Sequence, residues 1–356
     1  MRQDGAVVWL ILLTLLYGWI IVTASANALG MVRPAGTSTQ IKLEVMVPAR
    51  NEAQNLPKLL GPLVTQGCRV TLFDDASTDG TGELAQKMGA RVLTEPGGPP
   101  DGWKGKARGC HLLSCEATEE WVVFLDADTK PDASFCSILS GHLGALPRET
   151  KVVTGFPRML PGRGLEPAYL FWVPWILLAT NPFALVSRTG IGHSFFLNGQ
   201  FSAWRREALL ELKPFEAVKD EVLEDVKIGR LLARKGVRVQ AADVSQILSV
   251  AMYSDLRSAV RGMTKNSADI APGILGAVFL SLFLLLAAWG WLSAPPLSLV
   301  FLGVLLLSGL AANRIVKMPF WAPLLLPLSL TAAVITLWLS VVAKAKGSRE
   351  WKGRFY

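Results

Sequence analysis

Apolar residues fall into two patterns along the chain, and the difference divides it. From Ala6 to Leu29 the run AVVWLILLTLLYGWIIVTASANAL carries no charge and is long enough to cross a bilayer, whose apolar core takes about 20 helical residues. The segments Ile274–Ala294, Leu297–Ala312 and Trp321–Ala343 are also uncharged, set apart by Pro295-Pro296 and then by Asn313, Arg314 and Lys317. All four read as membrane helices. The first is expected to stay as an anchor, because its apolar part is longer than that of a removable signal. Between them, residues 33–269 carry most of the acids, and short apolar runs alternate there with helix-period stretches.

In that middle region "IKLEVMVP" predicts a strand, and Leu56, Leu59, Leu60 and Leu63 follow at helical spacing. A second strand, Val70–Phe73, stops at Asp74-Asp75, and Ser77, Thr78, Asp79, Gly80 and Thr81 make a turn suited to capping the next helix. "ARVLTE" is a third strand and "WVVFL", Trp121–Leu125, a fourth. Strands alternating with helices at short intervals imply parallel strands joined by right-handed crossovers, an α/β fold with a doubly wound sheet. The run Ala168–Pro182, rich in Trp and broken by Pro174, fits an interfacial helix on a bilayer or a buried core helix. This gives an anchor at 1–32, an α/β domain at 33–269 with that helix at 168–187, membrane helices at 270–343 and a basic tail at 344–356.

The acids sit at strand ends. Glu52, Asp74, Asp75, Asp126 and Asp128 are far apart in sequence, yet a doubly wound sheet lines them along one edge, where ligands of such sheets bind. Asp126, Asp128 and Asp132 repel one another unless a cation or hydrogen-bond donors offset them, so D-x-D is read as a metal site, with a solvated capping turn as the plain alternative. The loop "GGPPDGWKGKARG" adds Lys104, Lys106 and Arg108 ahead of a helix and suits phosphate. It lacks the P-loop spacing, since Ala107 stands where the hydroxyl belongs. His193, in a glycine-flanked loop, is a phosphate contact or a packed side chain.

Net charge is +8 over 356 residues, and the tail Lys344, Lys346, Arg349, Lys352 and Arg354 suits an anionic membrane leaflet better than nucleic acid. If Arg33 and Lys42 keep the domain cytoplasmic, three later crossings put that tail outside, against the positive-inside rule. One late segment is therefore expected not to span. Leu297–Ala312 is short, and Pro319, Pro323 and Pro327 crowd the start of the last. The four cysteines show no paired spacing, which suggests neither zinc nor a disulfide framework and favours a reducing side.

"VMVPARNEAQNL", "FDDASTDGT", "GKARG", "FLDADTKPD", "LNGQFSAWRREAL" and "EDVKIGRLLARKG", in that order over Leu43–Gly236, resemble a family 2 glycosyltransferase of GT-A fold. The flanking helices, "RGMTKN" and "WKGRFY" resemble the membrane-anchored branch that glycosylates carotenoid or hopanoid-type lipids. The resemblance implies an inverting transfer from a nucleotide sugar, a UDP-sugar by its base-binding acid, with Mg²⁺ or Mn²⁺. Pro48, Arg50 and Glu52 match the first nucleotide motif; Asp75, with Asp74 beside it, matches the base-recognising acid; Lys106 lies near the donor; Asp126 and Asp128 match the metal and ribose pair. Gln200 matches a position near acceptor or diphosphate, or is a helix cap; Asp225 matches the catalytic base, and Glu224 beside it is a second catalytic candidate or a helix-start carboxylate. No Q-x-x-R-W follows, which disfavours processive polymer synthesis. The expected activity is transfer of one sugar to a membrane lipid acceptor at the cytoplasmic face of a cell membrane. Loading of a sugar onto polyprenyl phosphate and a non-catalytic membrane scaffold are the alternatives.

Overall fold

The computed structural model describes residues 3–37, 40–95, 98–189, 196–221, 223–271 and 273–346, with the backbone of 350–351 and 354–355; His193, Arg349 and Lys352 lie outside the described residues. The chain opens with α1 (Gln3–Gly30) and continues through β1 (Leu43–Ala49), α2 (Leu56–Thr65), β2 (Arg69–Asp74), α3 (Thr81–Lys87), β3 (Arg91–Thr94), α4 (Gly105–Cys115) and β4 (Trp121–Leu125). Next come β5 (Thr129–Pro131), α5 (Phe135–Gly144), β6 (Thr150–Phe156), β7 (Arg158–Met159), α6 (Glu166–Leu170), α7 (Trp172–Thr180) and α8 (Phe183–Thr189). After these lie β8 (Phe201–Arg205), α9 (Arg206–Leu212), α10 (Pro214–Ala217), α11 (Glu224–Arg234), β9 (Arg238–Asp243) and β10 (Leu248–Val250). Four helices follow: α12 (Leu256–Asn266), α13 (Gly273–Trp289), α14 (Ser298–Val316) and α15 (Leu326–Ala345).

These elements form two compact units. One, residues 32–159 and 186–251, is the α/β unit. Its seven-stranded sheet runs β3-β2-β1-β4-β8-β6-β9, parallel throughout except for β8, which is antiparallel to both neighbours. The central strands are apolar on both faces, as strands covered by helices on each side must be. Val45, Val47, Leu72, Val123 and Leu125 pack with α2 and α5 in one layer. Met46, Phe73, Val122 and Phe124 pack with α4, α9 and α11 in the other. The outer edge of β9 is covered by the chain just after α1, where Asp243 N–H donates to Val32 O at 2.7 Å and Arg33 pairs with Asp243 at 2.9 Å. Pairing an edge in this way removes a template for aggregation.

Cys68 and Cys136 are joined in a disulfide between the α2–β2 turn and α5. Sequence spacing pointed instead to four unpaired thiols. Only the fold brings together two cysteines 68 positions apart, so the cysteine-based preference for a reducing side falls away.

The second unit contains residues 1–31, 160–185 and 252–356. The expected domain at 33–269 is thus interrupted, because 160–185 and 252–269 pack with the apolar helices. Among the described residues four helices are long and apolar enough to cross a membrane: Asp4–Gly30, Gly273–Ser293, Pro295–Val316 and Pro323–Ala345. The segment expected to be short thus has the length of a span, but α13 and α15 on either side of it run antiparallel rather than parallel, which agrees with the expectation that one late segment does not cross. α13 and α15 run antiparallel, tied by Trp289 Nε1 to Thr331 (2.9 Å), Trp338 Nε1 to Ser281 (3.1 Å) and Ala268 N–H to Ser340 (2.8 Å). Lys344 completes the series on Asp269, so the end of α15 that carries the basic tail lies level with the start of α13.

α7 is buried through Trp172, Trp175 and Leu178, and Trp175 Nε1 donates to Ser308 of α14 at 2.9 Å. Such burial fits the core-helix alternative for this stretch. At Asn181-Pro182 the helix breaks, and Asn27 of α1 serves both ends of the break. Its Nδ2 donates to Leu178 O and Asn181 O at 2.7 Å each, and its Oδ1 accepts from Ala184 N–H at 2.9 Å. Backbone groups freed by a broken helix need such partners where water is excluded.

Candidate active site

Parallel order β2-β1-β4 sets the C-terminal ends of three strands side by side in the α/β unit, and the acids follow those ends. The first two loops are laced together by side chains. Asn51 N–H donates to Ser77 Oγ (2.9 Å), Glu52 N–H to Thr81 Oγ1 (2.8 Å) and Ala53 N–H to Asp79 (3.0 Å), while Asn51 Oδ1 accepts from Thr78 N–H (2.8 Å). The "ASTDGT" stretch thus holds the neighbouring loop as well as the turn into α3. Asn51 and Ala76 both have positive φ, 52° and 51°. For a residue with a Cβ that conformation is costly and persists only where its surroundings fix it.

Within this frame Arg50 Nη1 donates to Asp75 O at 2.5 Å and stands 3.8 Å from the Asp75 carboxylate, which is buried. Asp74 is placed differently. Its Oδ1 accepts from Ser77 N–H at 3.0 Å, and its Oδ2 lies so close over α3 that a Cβ on Gly82 would come within 2.7 Å.

The centre of the site is Lys106, near the start of α4. Its Nζ lies 2.8 Å from Asp126 and 2.9 Å from Glu224, so one ammonium bridges the end of β4 and the first residue of α11. The other cations of its loop are differently placed: Arg108 grips Glu95 and sits over the Trp103 ring at 5.2 Å, and Lys104 N–H donates to Lys219 O at 2.6 Å. Asp225 is next to Glu224, and a Cβ on Gly199 would meet its carboxylate at 3.0 Å and Lys106 Nζ at 3.2 Å. Gly199 leaves that space open. Pro48, Lys106, Asp126, Gly199, Glu224 and Asp225 share one cleft. Gln200 comes to the site by main chain, its carbonyl accepting from Asp126 N–H at 3.4 Å.

Gly199 and Asn198 have no chemistry that sequence reasoning could single out, yet both shape the site. Asn198 pins the loop, donating Nδ2 to Gly155 O (2.8 Å) and accepting from Gln200 N–H (3.0 Å). The "NGQ" run was the available signal.

Charge is unevenly matched here. Burial opposes the Lys106 ammonium, but Asp126 and then Glu224 outweigh it and hold it well above the usual lysine range. Burial pushes Asp126 upward against the pull of Lys106. Asp128 is pushed up to about 7 by burial, then by Asp126 and Glu52, and its Oδ1 is buried with no hydrogen-bond partner. Asp225 is likewise pushed up to about 7, by burial and then Glu224. A buried, unpartnered carboxylate oxygen beside a second carboxylate fits a divalent cation. Among the described residues no three His, Cys, Asp or Glu side chains converge on one point. Protein ligands from Asp126 and Asp128 therefore fit a hard ion that takes its remaining ligands from phosphate and water, as Mg²⁺ commonly does.

Comparison with known proteins points the same way. Residues 44–212 match the model for glycosyl transferase family 2. The chain is 25% identical over 250 residues to 4,4'-diaponeurosporenoate glycosyltransferase of Staphylococcus haemolyticus (strain JCSC1435), covering 65% of this chain and 62% of that protein. It is 24% identical over 257 residues to the protein of that name in Staphylococcus aureus (strain bovine RF122 / ET3-1), covering 68% and 66%. The chain thus matches about two thirds of the length of these relatives. In fold it is similar to the mannosyltransferase PcManGT from Pyrobaculum calidifontis, solved with GDP-Man and Mn²⁺, with a TM-score of 0.54, 18% identity, and 94% of this chain and 98% of that one covered. Residues 44–212 are therefore a glycosyl transferase family 2 domain, and the α/β unit that holds them has the GT-A fold.

Proposed function

We propose that this chain is a membrane-anchored, metal-dependent, inverting glycosyltransferase, moving one sugar from a nucleotide-sugar donor to a lipid acceptor at the cytoplasmic face. What carries this reading is the bridge at Lys106: Asp126 on the donor side and Glu224, next to Asp225, are tied to one ammonium across 118 positions of sequence, the span from 106 to 224.

In this reading Arg50 and Asp75 receive the base, uracil by resemblance, and Pro48 and Glu52 line the way to the diphosphate. Asp126 and Asp128 would hold Mg²⁺ or Mn²⁺, which when bound supplies positive charge to the diphosphate as it leaves. Lys106 would add a second positive charge there, and Glu224 would hold it in place with Asp126 serving the metal. Asp225 takes the proton from the acceptor hydroxyl as its oxygen bonds to the anomeric carbon and the bond to the diphosphate oxygen breaks. A carboxyl pushed up to about 7 suits this duty, because it is basic enough to accept a proton and about half of it is ionised at neutral pH. Attack opposite to the leaving group inverts the anomeric centre. Gln200 and Gly199 shape the acceptor side.

The names of the staphylococcal relatives raise a carotenoid-type acid as a second class of acceptor. A carboxylate, like a polyprenyl phosphate, is already ionised and asks less of Asp225. Asp225→Asn separates these cases: loss of nearly all transfer indicates a hydroxyl acceptor, and substantial residual turnover an ionised one.

The test of the function itself is a screen of UDP- and GDP-sugars with the purified full chain and Mn²⁺ or Mg²⁺, followed by mass analysis of lipids from membranes with and without the protein. A sugar-bearing lipid that depends on both metal and protein is expected. Failure to bind or turn over any nucleotide sugar contradicts the proposal.

A further inference from the structure

The run that leads into α13 carries a surface of uncommon composition. α12 is capped by Asp255, which accepts from Ser258 N–H at 2.8 Å while Ser258 Oγ accepts from Asp255 N–H at 3.1 Å. With the helix so fixed, Ala259 and Met263 face inward, and Arg257 and Arg261, one turn apart, are exposed. The segment 163–165 runs alongside. Arg163 N–H donates to Ser254 O at 2.8 Å, and Arg163 pairs as a bridge with Asp255.

Arg163 is exposed, as are two leucines of the same surface, Leu165 at 58% and Leu256 at 37%. Among the described residues none of the three guanidinium groups has an ion-pair partner, and the nearby acids are engaged elsewhere. Asp255 caps α12, and Glu166 is buried, accepting from Gly162 N–H at 2.8 Å.

A face built only for water would carry the arginines without the leucines. A headgroup layer accommodates both, since leucines enter the acyl boundary while guanidinium groups stay among phosphates. The position agrees. α12 passes through Ser267–Asp269 into α13, and Lys344, at the end of α15, is bonded to Asp269, so the cations of α12 and Lys344 gather at one end of the helical unit. We propose that residues 163–165 and α12 form a docking surface for the anionic headgroup layer, with Leu165 and Leu256 inserted and Arg163, Arg257 and Arg261 on phosphates. This rests on the reading of α13 and α15 as membrane spans.

The experiment uses the full chain in lipid nanodiscs of phosphatidylcholine, with or without phosphatidylglycerol. Nitroxide labels are placed singly at Leu165→Cys, Leu256→Cys and, on the exposed side of α13, Phe279→Cys, in a Cys115→Ser background that removes the exposed free thiol. Labels at 165 and 256 are expected to be shielded from a water-soluble nickel relaxant, more so with phosphatidylglycerol. Arg257→Ala with Arg261→Ala is expected to cut the phosphatidylglycerol effect about tenfold or more. Full nickel access at 165 and 256 while 279 stays shielded overturns the docking surface and leaves the spans intact. Shielding indifferent to phosphatidylglycerol overturns the anionic assignment, and nickel access at 279 overturns the spans and the inference together.

Discussion

Lys106 holds Asp126 at 2.8 Å and Glu224 at 2.9 Å, so removing either acid changes where the ammonium rests. Glu224→Gln is expected to raise the donor KM roughly tenfold with a smaller effect on kcat, as loss of one charge-assisted contact implies. Glu224→Asp should restore much of it; equal defects in both, or a pure kcat loss, would instead make Glu224 a catalytic acid or base. Asp225 gives a pH signature. Because it must be ionised to accept a proton and is pushed up to about 7, transfer to a hydroxyl should rise with pH through that value. For stability the sign is opposite. The folded state holds this proton more tightly than the unfolded chain, so the contribution is full below the ordinary carboxylate range and is lost as pH rises through about 7. Asp225→Asn should therefore melt higher than the parent at pH 8, by up to about 2 kcal/mol after allowing for partial exposure. Of these residues, Asp126, Asp128 and Asp225 were legible as acids at element boundaries. The bridge between Lys106 and Glu224 was not, because spacing in sequence carries no information about a contact closed by a whole sheet.

Among the elements, β1, β2 and β4 were readable because each is apolar on both faces and ends in Gly, Pro or Asp signals. β8 was not. All five of its residues are buried, but Ser202 and Arg205 interrupt the apolar run, and Arg205 is tolerable there because Glu120 and the carbonyls of Thr150, Leu146 and Pro147 receive its guanidinium. The break between α7 and α8 was visible as Asn181-Pro182, whereas its partner Asn27 looked like one polar residue in an anchor. Asn27→Leu keeps the apolar length of α1, leaves Leu178 O and Ala184 N–H unserved, and leaves Asn181 O with the Phe183 N–H alone. It should destabilise the helical unit by roughly 2–4 kcal/mol, seen as a lower melting temperature in nanodiscs. An unchanged melting temperature would mean that other groups serve the break.

Across the whole molecule, two kinds of chemistry share one chain: apolar helices long enough for a bilayer and an α/β unit with a cluster of acids. The disulfide belongs to this scale, since it closes a loop from Cys68 to Cys136. Mass spectrometry of denatured, unreduced protein should show two alkylated thiols, Cys110 and Cys115, and four after reduction. A bridge over that many residues contributes up to about 4 kcal/mol, so reduction should lower the melting temperature of the α/β unit. The measurement that bears most directly on the central claim is calorimetric titration of a nucleotide sugar with Mn²⁺ into Asp128→Ala and Asp225→Asn, with turnover recorded for both. Asp128→Ala should lose metal-dependent binding, whereas Asp225→Asn should bind the donor within about threefold of the parent and lose transfer to a hydroxyl by a hundredfold or more. Metal-dependent binding and normal turnover in both variants would contradict a single cleft in which these aspartates divide the work.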